Sequence, residues 1–257
     1  MKRILRWWPE ITIGALALLL RAPGIGRVPL SESEARIWQF AGDSREHLMR
    51  IFLLRAEHHS GSLVKYVAFL NLWMTGGDGE AWLRLPSLIA GLAALVFVYL
   101  FACRLFGRAA GCVATLLLAV SPFHIMTCRT VGANAIGLLL FSAGIYLFQR
   151  IYEGENRGRI AAAFAAVSII GVNYGFYFAL LLPPMNVLYL GFGRDRARGL
   201  WWWIPLNVVL CACAAYWAPR WMAAYFAPSA TFTVNEIFPA DVMTDDTMLY
   251  LRSRMML

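Results

Sequence analysis

Charge is scarce in this sequence. Only 15% of the 257 residues are Asp, Glu, Lys or Arg, where a soluble domain carries about 25%. That shortage excludes a solvated surface of ordinary size for a chain of this length. Cysteine is too sparse and too scattered for a framework. Cys103, Cys112, Cys128, Cys211 and Cys213 lie in or at the edge of apolar stretches, without the spacing of a zinc site or a disulfide scaffold, and read as small buried hydrophobes. No basic face with interleaved aromatics appears, so the net charge of +8 does not indicate nucleic acid as a partner. Internal repeats and low-complexity tracts are also absent.

What fills the space is apolar: 60% of residues are hydrophobic and 14% aromatic. Surface of that kind needs lipid as its solvent. The sequence therefore predicts an all-α, polytopic membrane helix bundle. About seven stretches have spanning character: Trp7–Pro23, Leu85–Phe106, Ala109–Met126, Ala133–Tyr152, Ile160–Val172, Phe176–Phe192 and Leu200–Pro219. The apolar run that follows the basic start reads as a retained first helix, since no small-residue cleavage site follows it. Basic residues cluster in alternate connections: Lys2, Arg3 and Arg6; Arg104 and Arg108; Arg150, Arg157 and Arg159; Arg194, Arg196 and Arg198. The bias of Lys and Arg toward cytoplasmic loops then predicts a multi-pass protein of a bacterial inner membrane. Its N-terminus would be cytoplasmic and its C-terminus on the outer side. Residues 1–225 form the transmembrane domain in this reading, and 226–257 a polar tail. The connection 24–84 faces outward, with amphipathic helices over Ala35–Ala56 and Leu63–Met74 lying along the interface.

Several polar groups in that connection could carry chemistry. Glu32 and Glu34 stand in Pro29-Leu-Ser-Glu-Ser-Glu-Ala35. A carboxylate just outside a membrane can take the proton of an incoming hydroxyl. The same acids could equally favour the positive end of a helix capped by Ser31 or Ser33. Glu57 and His59 are candidate ligands for a divalent metal. No further ligands are evident beside them. Glu80 and Arg84 are four apart and can pair on one helix turn, or Arg84 can meet a lipid phosphate. Lys65 and Arg129 are cations on the side predicted to be outer. They suit a phosphate-bearing ligand, or simply extend their charged ends toward water.

In order, these segments resemble the lipid-phosphate-dependent GT-C glycosyltransferases, the group that includes protein O-mannosyltransferases and aminoarabinose transferases. The resemblance is carried by Leu20-Arg-Ala-Pro-Gly-Ile-Gly-Arg-Val-Pro-Leu30, then Ser33-Glu34-Ala35 where the family has Asp-Glu-Ala. It continues through Ser60-Gly-Ser-Leu-Val-Lys-Tyr66, Leu72-Trp73, Gly77, Glu80 and Arg84-Leu-Pro-Ser87. Arg104-Leu-Phe-Gly-Arg108, Ser121-Pro-Phe-His124, Asn173-Tyr174 and Tyr216-Trp-Ala-Pro219 follow. The resemblance implies transfer of a sugar from a polyprenyl-phosphate carrier to an acceptor. Glu34, with Glu32, would serve as the acid-loop carboxylates, and Lys65, Arg84 and Arg129 would lie on the phosphate side. A divalent metal, with His59 and Glu57 as ligands, would help the phosphate depart. Ser33 replaces the family's Asp, and a serine hydroxyl is no base at neutral pH. The family is typically about twice as long, so the chain corresponds to its N-terminal half. The alternative reading is a non-catalytic membrane subunit that reuses the fold to bind lipid or a partner subunit.

Overall fold

The computed structural model describes residues 8–27, 29–31, 34–35, 79–131, 133–154, 158–174, 176–192 and 196–226. Glu32, Ser33, Glu57, His59, Lys65, both proposed interfacial helices and the polar tail lie outside the described residues.

The described chain is all-α. Its helices are α1 (Trp8–Arg21), α2 (Glu80–Phe106), α3 (Arg108–Val120), α4 (Pro122–Arg129), α5 (Ala133–Tyr152), α6 (Gly158–Tyr174), α7 (Phe176–Ala179), α8 (Leu182–Phe192) and α9 (Arg196–Phe226). The seven-span reading does not hold. Among the described residues two helices are long and apolar enough to cross a membrane, Glu80–Phe106 and Asn134–Tyr152. A third is gained only if α3 and α4 count as one span, despite a 62° bend between them. The physical reason is interruption. A crossing needs about 20 residues, or about 30 Å of helix. The first apolar stretch forms a helix of 14 residues. The stretch Phe176–Phe192 is divided between α7 and α8, and α6 has 17 residues. The inner-membrane topology deduced from alternating basic loops falls with the spans it required. Two of those loop arginines are moreover tied to acids. Arg108 pairs with Glu10 through Nε and Nη2, at 2.6 and 2.8 Å, and Arg104 Nε donates to Glu153 at 2.5 Å.

Helix breaks follow from local chemistry. Gly107 takes φ +88° between α2 and α3, a conformation open to glycine at little cost. Ser121 ends α3 and caps α4, its Oγ accepting from the His124 N–H at 3.5 Å, with Pro122 in the first helical turn. Proline suits that position because its missing N–H has no partner there anyway.

α2 is the central element and packs most extensively against α5 and α3. On one side, Ile13 and Ala17 of α1 meet Leu95 of α2 and Ala119 of α3 in a small core. On the other, α5, α6, α8 and α9 enclose an aromatic core in which Trp203 stacks on Tyr189 (centroids 4.2 Å apart) and Phe164 (5.7 Å). Asn186 on α8 crosses to α9: it donates to Asn207 Oδ1 and accepts from Trp203 Nε1, both at 2.7 Å.

Candidate functional site

The polar residues that matter gather where α1 ends, α2 begins and α4 ends. The chain leaving α1 turns over residues 22–27, with Gly24 at φ +71°, and lies against the start of α2. Gly26 makes that approach possible, since a Cβ there would come within 3.0 Å of Ala81 Cβ.

Arg84, one turn into α2, reaches this exit. Its Nη1 donates to the Ile25 carbonyl at 2.7 Å and its Nη2 to the Pro29 carbonyl at 3.2 Å. The same guanidinium holds Glu34 from two sides, Nε to Oε1 and Nη2 to Oε2, each at 2.9 Å. Both side chains are 2% exposed. The parallel two-bond geometry is the strong form of the Arg–carboxylate pair. Glu34 takes further donors. Oε1 accepts from the Val131 N–H at 2.7 Å, and Oε2 from the Ser31 N–H at 3.0 Å and the Ser31 hydroxyl at 3.1 Å. The Ser31 hydroxyl also accepts from the Glu34 N–H at 3.4 Å. This is the reciprocal pattern of a capping box, here closed around a buried ion pair.

Burial raises the Glu34 pKa, but the bonds from Arg84, Ser31 and Val131 outweigh it and hold the carboxyl below its ordinary value of 4.5. A folded-state pKa below the unfolded one contributes stability above the unfolded pKa, and loses it as pH falls through the folded value. The thermal midpoint of the detergent-solubilised chain is therefore expected to fall below about pH 4.5, and Glu34→Gln to show a shallower fall over the same window. Equal slopes in the two proteins would show that Glu34 is not the acid-sensitive group.

The sequence-predicted residues are thus distributed as follows. Arg84 and Glu34 are brought together, fifty residues apart in the chain. Arg129 lies at the same end, half-buried, its Nη2 donating to the Pro23 carbonyl at 2.9 Å. Arg84 pairs with Glu34 across the fold, a partner that chain spacing does not indicate.

Two residues at this end were not singled out from the sequence. Arg21, the last residue of α1, is fully buried, and His124 on α4 is 1% exposed. Arg21 Nη2 lies 2.5 Å from His124 Nδ1, and the imidazole in turn lies against Cys128 Sγ, 3.7 Å from Nε2. The available signal was their placement: an ionisable residue within or at the edge of an apolar stretch is a functional candidate by default. Among the described residues no group of three or more His, Cys, Asp and Glu side chains gathers to hold a metal. The Glu34 carboxylate, already taking five donors from Arg84, Ser31 and Val131, does not fit a divalent cation. Glu57 and His59 fall outside the described residues.

An α-helical chain with two membrane-length helices among the described residues fits a membrane-associated protein. Residues 61–217 match the family described as dolichyl-phosphate-mannose-protein mannosyltransferase. That is more than half of the 257 residues, and the chain belongs to this family. No curated protein and no solved structure gives a significant match.

Proposed function

We propose that the chain binds a polyprenyl-phosphate-linked sugar at a membrane surface and supports transfer of the sugar to an acceptor hydroxyl. The observation that carries this reading is the buried Glu34–Arg84 clasp. It fixes Ser31 and Glu34, which flank Glu32 in the chain, against the start of α2 and the end of α4. In a chain of this family, that is where a lipid-borne phosphate and an attacking hydroxyl would meet.

In this reading Glu34 orders the acid segment, and Glu32 is the carboxylate that takes the acceptor's proton as its oxygen attacks the anomeric carbon. The sugar–phosphate bond breaks with its electron pair going to the phosphate, whose charge the cations of the site stabilise. Lys65 and Arg129 are the cations that bind the phosphate in this reading, with Arg84 holding Glu34. Should the reaction require a divalent ion, Glu57 and His59 are the residues that would hold it.

Purified protein given a polyprenyl-phosphate sugar and an acceptor is expected to release free polyprenyl phosphate. Glu32→Gln should lower that release by at least 100-fold while leaving the thermal midpoint unchanged. No release with a panel of donors would remove the enzymatic reading. Full activity in Glu32→Gln would remove Glu32 from it.

A second reading, a non-catalytic subunit that binds the lipid or a partner chain, is favoured by one observation. Glu34 has both oxygens fully engaged, and Ser33 stands where the family's Asp would act. Under that reading Ser33→Asp confers donor turnover on a chain that otherwise only binds. Turnover of the unaltered protein at a rate equal to that of the Ser33→Asp variant would dismiss it.

A further inference from the structure

Two buried arginines stand at this end of the bundle, and they are treated oppositely. Arg84 has its charge answered by Glu34. Arg21 does not. It is 0% exposed, and its Nη1 donates to the Ala17 carbonyl at 2.9 Å. Its Nη2 reaches the Leu118 carbonyl at 3.5 Å and His124 Nδ1 at 2.5 Å. Nε has no hydrogen-bond partner. Every acceptor around this guanidinium is neutral, and among the described residues no carboxylate pairs with it.

A guanidinium has donors only and stays protonated in proteins, so His124 Nδ1 must be the accepting nitrogen. The imidazole is then neutral, with its proton on Nε2 facing Cys128 Sγ at 3.7 Å. Gly91 of α2 leaves room for this arrangement, since a Cβ there would overlap Cys128 Sγ and lie 3.7 Å from His124 Nε2. An isolated buried charge is costly unless it is paired or serves an ion. Retaining one beside a histidine, when a carboxylate at the same place would neutralise it, points to an anion that completes the balance.

We propose that His124 is a positioning residue: it holds Arg21 in place with its charge intact, and Arg21 supplies the uncompensated positive charge that draws the donor's phosphate to this end of the bundle. The inference rests on the lipid-phosphate reading above and names the residue pair behind its electrostatics. Arg21 acts at a distance. Arg129, on the phosphate side, donates to the Pro23 carbonyl, two residues past Arg21 in the chain, a separation on the order of 10 Å. A unit charge about 10 Å away at an effective dielectric of about 20 changes binding by roughly tenfold.

The test is to place the full chain in phosphatidylcholine nanodiscs and measure binding of decaprenyl phosphate. His124→Glu introduces a carboxylate that neutralises Arg21. Binding is expected to weaken by about tenfold, with a thermal midpoint no lower than that of His124→Gln. The conservative His124→Gln keeps a neutral acceptor for Arg21 and should restore binding to within about twofold of the unaltered chain, a contrast that a purely structural role for the histidine would not produce. If His124→Glu fails to fold, Arg21→Gln gives the same reading, because it retains a donor for His124 and loses the charge. Binding unchanged in His124→Glu, or in Arg21→Gln, overturns the proposal while leaving the lipid-phosphate reading intact. No binding by the unaltered chain overturns both. Equal binding of phosphatidic acid would show that the charge serves any phosphate headgroup and overturn the polyprenyl assignment.

Discussion

Glu34→Gln is expected to destabilise the protein by about 3–5 kcal/mol, the cost of leaving a buried guanidinium without its counter-charge. The amide has a single acceptor oxygen, so it can accept from Val131 or from Ser31 but not from both; the side-chain volume survives, while the charge and the bonds at one of the two oxygens are lost. For a chain of this size the thermal midpoint should drop by roughly 10 °C, readable from intrinsic fluorescence because ten tryptophans are present. Removing both partners is expected to cost less than the sum of the single changes. Glu34→Gln with Arg84→Met leaves no orphaned charge, although the Ile25 and Pro29 carbonyls lose the donor they now share. The recovery is therefore partial. A midpoint in Glu34→Gln equal to that of the parent protein would mean that the clasp is not formed in solution.

The second large effect is steric. Gly91→Ala places a methyl group where Cys128 Sγ now sits, with Cys128 Cβ at 3.3 Å. Neither has room to move: Cys128, on α4, is fully buried against Gly91 of α2. Overpacking of this kind costs about 1–3 kcal/mol and pushes α4 away from α2. Since α4 carries His124 and Arg129 and leads to Val131, the displacement should also weaken the junction, raising protease sensitivity near residue 34. Cys128→Ala removes the clashing sulfur and is expected to recover most of the loss in the double variant. If Gly91→Ala alone is as stable as the parent, α2 and α4 do not approach as closely as described.

How much of this was legible beforehand differs by residue. Helix formation was. Apolar runs without strand alternation give α5 at its bounds and α2 and α9 in shortened form, whereas the run Ala109–Met126 crosses Ser121–Pro122, where capping chemistry starts a new helix. The number of crossings was not. Hydropathy counts apolar residues without registering where a helix breaks, as at Leu180–Leu181 and at the 62° bend between α3 and α4. In the junction, Glu34 and Arg84 were both visible as polar residues in an apolar chain. Their pairing was not, because it joins positions fifty apart through a loop closure, whereas the four-residue spacing of Glu80 and Arg84 offered a local partner. Arg21 and His124 were passed over for a related reason. Each is a lone ionisable residue in an apolar setting, and only their meeting across α1 and α4 gives them a shared role.

The turn after α1 is gripped in an unusual way. Arg84 and Arg129 fasten it by the peptide oxygens of Pro23, Ile25 and Pro29, and every amino acid owns such an oxygen. Apart from Gly24 and Gly26, which the positive φ and the approach to Ala81 reserve for glycine, residue identity along that turn is thereby freed to vary. The two arginines that do the fastening have no such latitude: a lysine in place of Arg84 offers a single point of charge, and cannot reach two carbonyls and a carboxylate with the planar fork that all three require.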